Sequence, residues 1–237
     1  MVALAVVFAV SAFMVIRNLR EEANSAEQFE ALEELIPEVP KNEAGEPTLS
    51  AAEKYAEVAA KNADFVGWIS IEGTAINYPV VQTPEDPEYY LRRGYDKKYS
   101  YYGVPFADAD CIIPGGDNIV IYGHNMDNGT MFAGLRHYRG KAYFEKHRYV
   151  RFDTLEGYGT YEVLAVFKTT ADNEFKYYQF TEAAEAAEFE AYVAKCKQRS
   201  LYETGVTAAY GDELLTLSTC EYSVDDGRLV VVAKRIK

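Results

Sequence analysis

The chain has 237 residues, with 37 acidic against 24 basic side chains and a formal charge of −13 at pH 7. That balance argues against a nucleic-acid binder, which needs clustered Lys and Arg to displace phosphate counterions. The 20 Tyr and 12 Phe exclude a solvated, disordered coil. Three cysteines, Cys111, Cys196 and Cys220, with no Cys-x-x-Cys, are too few for a disulfide scaffold and do not suggest a zinc site. No metal-ligand cluster and no Gly-rich phosphate loop is visible, so no cofactor is expected. The length suits one domain with an appendage.

Residues 1–16 carry no charge, and Ser11 is their only hydroxyl. As a helix they would span about 24 Å, somewhat short of a ~30 Å hydrocarbon core. With no small-x-small cleavage site before Arg17, the segment reads as a membrane anchor rather than a cleaved signal peptide. Arg17 and Arg20 on its C-terminal side run against the simplest positive-inside orientation. Residues 17–63 form a helical stalk rich in acid, broken by Pro37, Pro40, Gly45 and Pro47. Ser50 with Glu53 three residues on predicts a capping box for a second helix.

The compact domain is expected over residues 64–237. Two strands flank a Gly73 turn, and Asp86 with Pro87 opens a short helix that Gly94 closes. A buried strand, Ile119 to Tyr122, ends at Gly123 and His124, and a helical turn covers 130–138. Strands follow at 150–153 and 161–167. Residues 181–199 give the strongest helix, with Phe189, Val193 and Cys196 on one face. Strands over 214–217 and 229–233 close the chain. Many short strands with few helices predict a mainly β barrel or sandwich.

A catalytic nucleophile needs an exposed side chain on a rigid element beside an acid or base. Cys220 fits, at the end of the strand Leu214 to Cys220, whereas Cys196 fits a buried helix face and Cys111 reads as packing. His124 ends a buried strand behind a glycine, while His137 and His147 lie in basic surface contexts. Arg228 opens the last strand eight residues after Cys220, so strand pairing brings both to one end of a sheet.

Together these residues resemble the sortase family. Thr216, Leu217, Thr219 and Cys220, with Arg228 after an Asp226-Gly227 loop, are similar to the signature TLxTC…R, and Ile121 to His124 resembles its histidine strand. Asn62, Asp64, Phe65, Gly67, Trp68 and Ile69, then Ile76 and Tyr78 to Gln82, then Tyr89 to Leu91, resemble the opening of class B members. The long helix before the catalytic strand also resembles class B, and the match covers roughly residues 51–237. Pro87 departs from the polar Asn of many class B members, and Cys111 is not a family feature.

The resemblance implies a closed sortase-type β-barrel with short peripheral helices, an N-terminal helical extension and one long inserted helix. It implies cysteine transpeptidation. Cys220 attacks the carbonyl after the Thr of a C-terminal sorting motif in a secreted protein. His124 protonates the leaving amine, Arg228 stabilises the oxyanion or fixes the substrate backbone, and a peptidoglycan or pilin amine resolves the thioester. The groove is expected to run past Leu91, Tyr122, Ser218 and Glu221, with the Ser218 hydroxyl on the same strand face as the thiol. The implied location is the cell membrane, single-pass, with the catalytic domain outside. The rival functions are a secreted cysteine endopeptidase using water, and a non-catalytic envelope β-barrel module.

Overall fold

The computed structural model describes residues 2–237. Its frame is a closed barrel in the order β1-β2-β3-β4-β7-β8-β6-β5, comprising β1 (Phe65–Ser70), β2 (Asn77–Val81), β3 (Phe106–Ala107), β4 (Asn118–Tyr122), β5 (Tyr149–Asp153), β6 (Thr160–Thr170), β7 (Leu214–Cys220) and β8 (Gly227–Arg235). The alternation that marks these segments as strands also divides their side chains. Ile119 and Ile121 of β4, Leu215 and Leu217 of β7, and Leu229, Val231 and Ala233 of β8 fill the barrel. Each fully buried Ile, Leu or Val side chain among them contributes about 1.5–3 kcal/mol.

The outward residues Val230 and Val232 meet a second apolar layer, Phe189, Tyr192, Val193 and Cys196 of helix α4 (Ala186–Arg199). Barrel closure removes the unpaired sheet edges. The barrel form expected from sequence is therefore present. Short helical pieces decorate it: 3-10 turns at Tyr89–Arg92, Phe132–Arg139 and Tyr177–Gln179, and α3 (Lys141–Lys146). Three expected boundaries shift. The Tyr89–Arg92 turn begins beyond Asp86, whose backbone is held in a separate turn with Thr83. The turn expected over 130–138 runs over 132–139. The helix expected from 181 begins at Ala186, because Thr181 and Ala183 are tied to the start of β4 through Asn118 and Asp117.

N-terminal to the barrel, α1 (Val2–Glu33) runs unbroken through the boundary expected at residue 17. The proline-rich break then leads to α2 (Ala51–Lys61), which carries the expected Ser50–Glu53 capping box. The end of α1 packs on the barrel through buried Phe29 and Leu32, with the Phe29 and Tyr78 rings 5.0 Å apart.

The expected membrane anchor is overturned: among the described residues no helix is long and apolar enough to cross a membrane. The apolar run from Val2 rises only about 22 Å before Arg17. The same helix then continues through Arg20, Glu21 and Glu22. Met1, the first residue of that expected segment, lies outside the described residues. The single-pass membrane location inferred from this segment falls with it.

Candidate active site

Strands β4 and β7 are parallel neighbours, with Tyr122 opposite Ser218, and β7 and β8 are antiparallel, with Cys220 opposite Arg228. The two-residue repeat that sends Ile121, Leu217 and Leu229 inward sends Tyr122, Ser218, Cys220 and Arg228 outward. Thus His124, just past β4, Cys220, ending β7, and Arg228, near the start of β8, lie side by side in that order at one end of the barrel.

Hydrogen bonds lock the junction. Gly123 donates its N–H to Ser218 O at 3.1 Å, Thr219 Oγ1 donates to Gly123 O at 2.7 Å, and Asn125 Nδ2 donates to Cys220 O at 2.8 Å. A side chain at Gly123 would strike the Phe132 ring, so the strand can pass this close only as glycine.

Cys220 is a free, half-buried thiol. The buried thiols of Cys111 and Cys196 are both pushed up to about 12, chiefly by desolvation, which leaves them protonated and inert. His124 Nε2 lies 2.8 Å from Leu91 O. A carbonyl can only accept, so Nε2 carries the proton and the neutral ring keeps its lone pair on Nδ1. Burial, with Arg92 nearby, holds His124 below the ordinary imidazole value despite the Leu91 bond. Arg228 is half-buried and donates to Gly227 O at 2.9 Å. Among the described residues no group of three or more His, Cys, Asp or Glu could hold a metal ion.

The four groove residues expected from sequence have different surroundings. Leu91 offers its carbonyl to His124. Tyr122 donates its hydroxyl to Asp108 at 2.7 Å, and desolvation raises its phenol. Ser218, only 1% exposed, shares a 2.7 Å hydrogen bond with the Tyr177 hydroxyl. Glu221 is turned to Lys168 at 3.1 Å and Arg139 at 3.6 Å. Desolvation opposes its ionisation, but Ser223 and Lys168 outweigh it and hold the carboxyl below its usual range.

Two contributors had no reading of their own in the sequence. Asn125 adjoins His124 in the chain, and that adjacency was the only hint of its role. Tyr177 carried no hint at all, because its partner Ser218 is 41 residues away.

The chain matches known proteins along most of its length. The family described as Sortase domain matches residues 69–236. Sortase B of Listeria monocytogenes is 39% identical over 180 residues, 74% of this chain and 71% of that protein. Sortase B from B. anthracis, solved in complex with AAEK1, superposes with a TM-score of 0.79 at 30% identity, covering 92% of this chain and 99% of that one. A Staphylococcus aureus sortase B–substrate complex gives 0.76 at 28% identity, covering 94% and 99%. The chain belongs to the sortase family, within class B, and is a cysteine transpeptidase of the kind that anchors proteins to the cell wall.

Proposed function

We propose that this transpeptidase cleaves a C-terminal sorting motif after Thr and passes the acyl group through a Cys220 thioester to a cell-wall or pilin amine. The observation that carries the reading is the cross-strand pairing of Cys220 with Arg228 beside the His124 end of the parallel strand β4. Burial favours neutral His124, which takes the proton from Cys220 Sγ as the sulfur attacks the scissile carbonyl. Arg228 cannot deprotonate under any working condition, so its task is to offset oxyanion charge or hold the peptide backbone. The imidazolium then protonates the departing amine.

A thioester persists until an amine reaches it if water is poorly placed. The S. aureus relative was solved with a substrate, which supports a donor groove in this chain, and we assign it to the ends of β4 and β7, where Tyr122 and Cys220 are half-buried. Within it we assign Leu91 and Tyr122 to peptide contact. Ser218 and Glu221 are engaged with Tyr177 and with Lys168 and Arg139, so they act as groove structure.

The test is a peptide-library screen on the full chain, read by mass spectrometry with and without an amine acceptor. Cleavage after Thr, a Cys220 adduct and an amide product support the reading. Hydrolysis that an amine never diverts would make the protein an endopeptidase, and no Cys220 adduct at all would overturn the assignment.

A further inference from the structure

A cleft of ≈ 810 Å³ opens between α1 and the loop that follows His124. Its walls include Glu21 and Glu22 of α1, Tyr101, Asp127, Tyr222 and His124. Cys220, Arg228, Tyr122, Tyr177 and Ser218 are not among its lining residues; of the proposed triad only His124 is. The barrel order β3-β4-β7-β8 explains the separation, because His124 and Arg228 flank Cys220 on opposite sides.

We propose that this cleft admits the acceptor, a primary ammonium without a carboxylate close to its nitrogen, so that α1 forms part of the enzyme's second-substrate site. The inference rests on the Cys220 thioester proposed above. A two-substrate transfer needs a route to the acyl carbon that the donor peptide does not fill, and this cleft reaches the one triad residue that can take the amine's proton.

The lining has the right chemistry for a cation. Arg17 is occupied by Glu21, at 3.1 Å, and Arg92 lies 4.6 Å over the Tyr101 ring while donating to that residue's carbonyl. Arg92 keeps its charge and covers the Tyr101 ring, so Glu22 and Asp127 leave the charged lining net negative by one, beside the exposed ring of Tyr222. A carboxylate and an open aromatic face both attract an ammonium.

The α1 wall is fixed rather than loosely apposed. Asn128 Nδ2 donates to Glu22 Oε1 at 3.0 Å, Tyr95 N donates to Gln28 Oε1 at 2.9 Å, and Phe29 and Leu32 are buried against the barrel. The ammonium first releases one proton to solvent; the neutral amine nitrogen then attacks the thioester carbonyl while His124 takes its second proton. The C–S bond breaks, its electron pair returns to Cys220 Sγ, and the proton follows from His124.

The test uses the full chain, the donor peptide from the library screen, and triglycinamide as acceptor. Glu22→Gln and Asp127→Asn are measured singly and together for the ratio of amide to hydrolysis product across acceptor concentration. Glu22→Gln keeps an oxygen for Asn128 to donate to, so a merely structural role predicts no change. The expected result is a rise of about two- to fivefold in half-saturating triglycinamide per carboxylate removed, and a parent enzyme more salt-sensitive than the double variant. An unchanged acceptor dependence in the double variant, with the thioester still forming, overturns this inference alone. Absence of the thioester in the parent overturns the Cys220 reading, and this one with it.

Discussion

Replacing Ser218 with Ala removes one oxygen from a site with almost no solvent. Ser218 is 1% exposed and Tyr177 2%, and their hydroxyls meet at 2.7 Å. The variant leaves the Tyr177 phenol buried without that partner, an omission that costs about 1–3 kcal/mol. For a domain of this size each kcal/mol moves the melting temperature by about 2–4 °C, so a fall of about 4–8 °C is expected near the middle of the range. Adding Tyr177→Phe removes the stranded hydroxyl, and the double variant should lose less than the sum of the single changes. Calorimetric melting of the four proteins, with acylation rates measured in parallel, decides the matter. An unchanged melting temperature for Ser218→Ala with slowed acylation would refute the reasoning, because the hydroxyl would then serve the substrate.

Cys220→Ala should abolish the covalent adduct seen by mass spectrometry, while His124→Ala and Arg228→Ala should each slow acylation by about 10²–10⁴-fold; inactivation by Cys196→Ala instead would reassign the nucleophile. Because burial lowers the His124 value, neutral imidazole persists as pH falls through the ordinary imidazole range, so the acid limb of kcat/KM should lie below that range. An acid limb above it would show that the shift has the opposite sign. The same depression means that acid protonates the unfolded histidine first, so stability should fall over the interval between the ordinary and the lowered value. Gly227→Ala should unfold the β7–β8 turn, since a Cβ there meets the Glu221 and Val224 carbonyls; a circular dichroism melt matching the parent would contradict this.

The strands legible in the sequence were those whose alternation is long enough to count, such as β6 and β8, where inward and outward residues meet different layers. β3 escaped because two residues, Phe106 and Ala107, carry no period. The start of α4 was misplaced for a tertiary reason. Thr181 to Glu185 has the composition of a helix, but Asp117 and Asn118 bind its backbone and that of Phe180 in another shape. The N-terminal segment announced its apolarity, yet span length and the charges from Arg17 onward govern whether such a helix crosses a bilayer. The meeting of Cys220, His124 and Arg228 at one end of the barrel could be read because each sits at the end of a recognisable strand. The Ser218–Tyr177 pair could not, since nothing local marks which hydroxyl will face which.

The parallel pairing of β4 with β7 frees the chemistry from the chain that connects them. Residues 123–213 hold two strands, two helices and their loops, yet the register of two adjacent strands brings the ends that carry His124 and Cys220 together, and the hydrogen bonds of Gly123, Asn125 and Phe132 hold that junction. A slip of one residue would carry the thiol about 3.3 Å and turn it to the other face. Thr216 Oγ1 guards against it by donating to Asn118 Oδ1 at 2.8 Å, far down the same strand pair. Loops of that excursion outside the 123–132 junction and the Tyr177 contact can be lengthened, shortened or exchanged without changing that register.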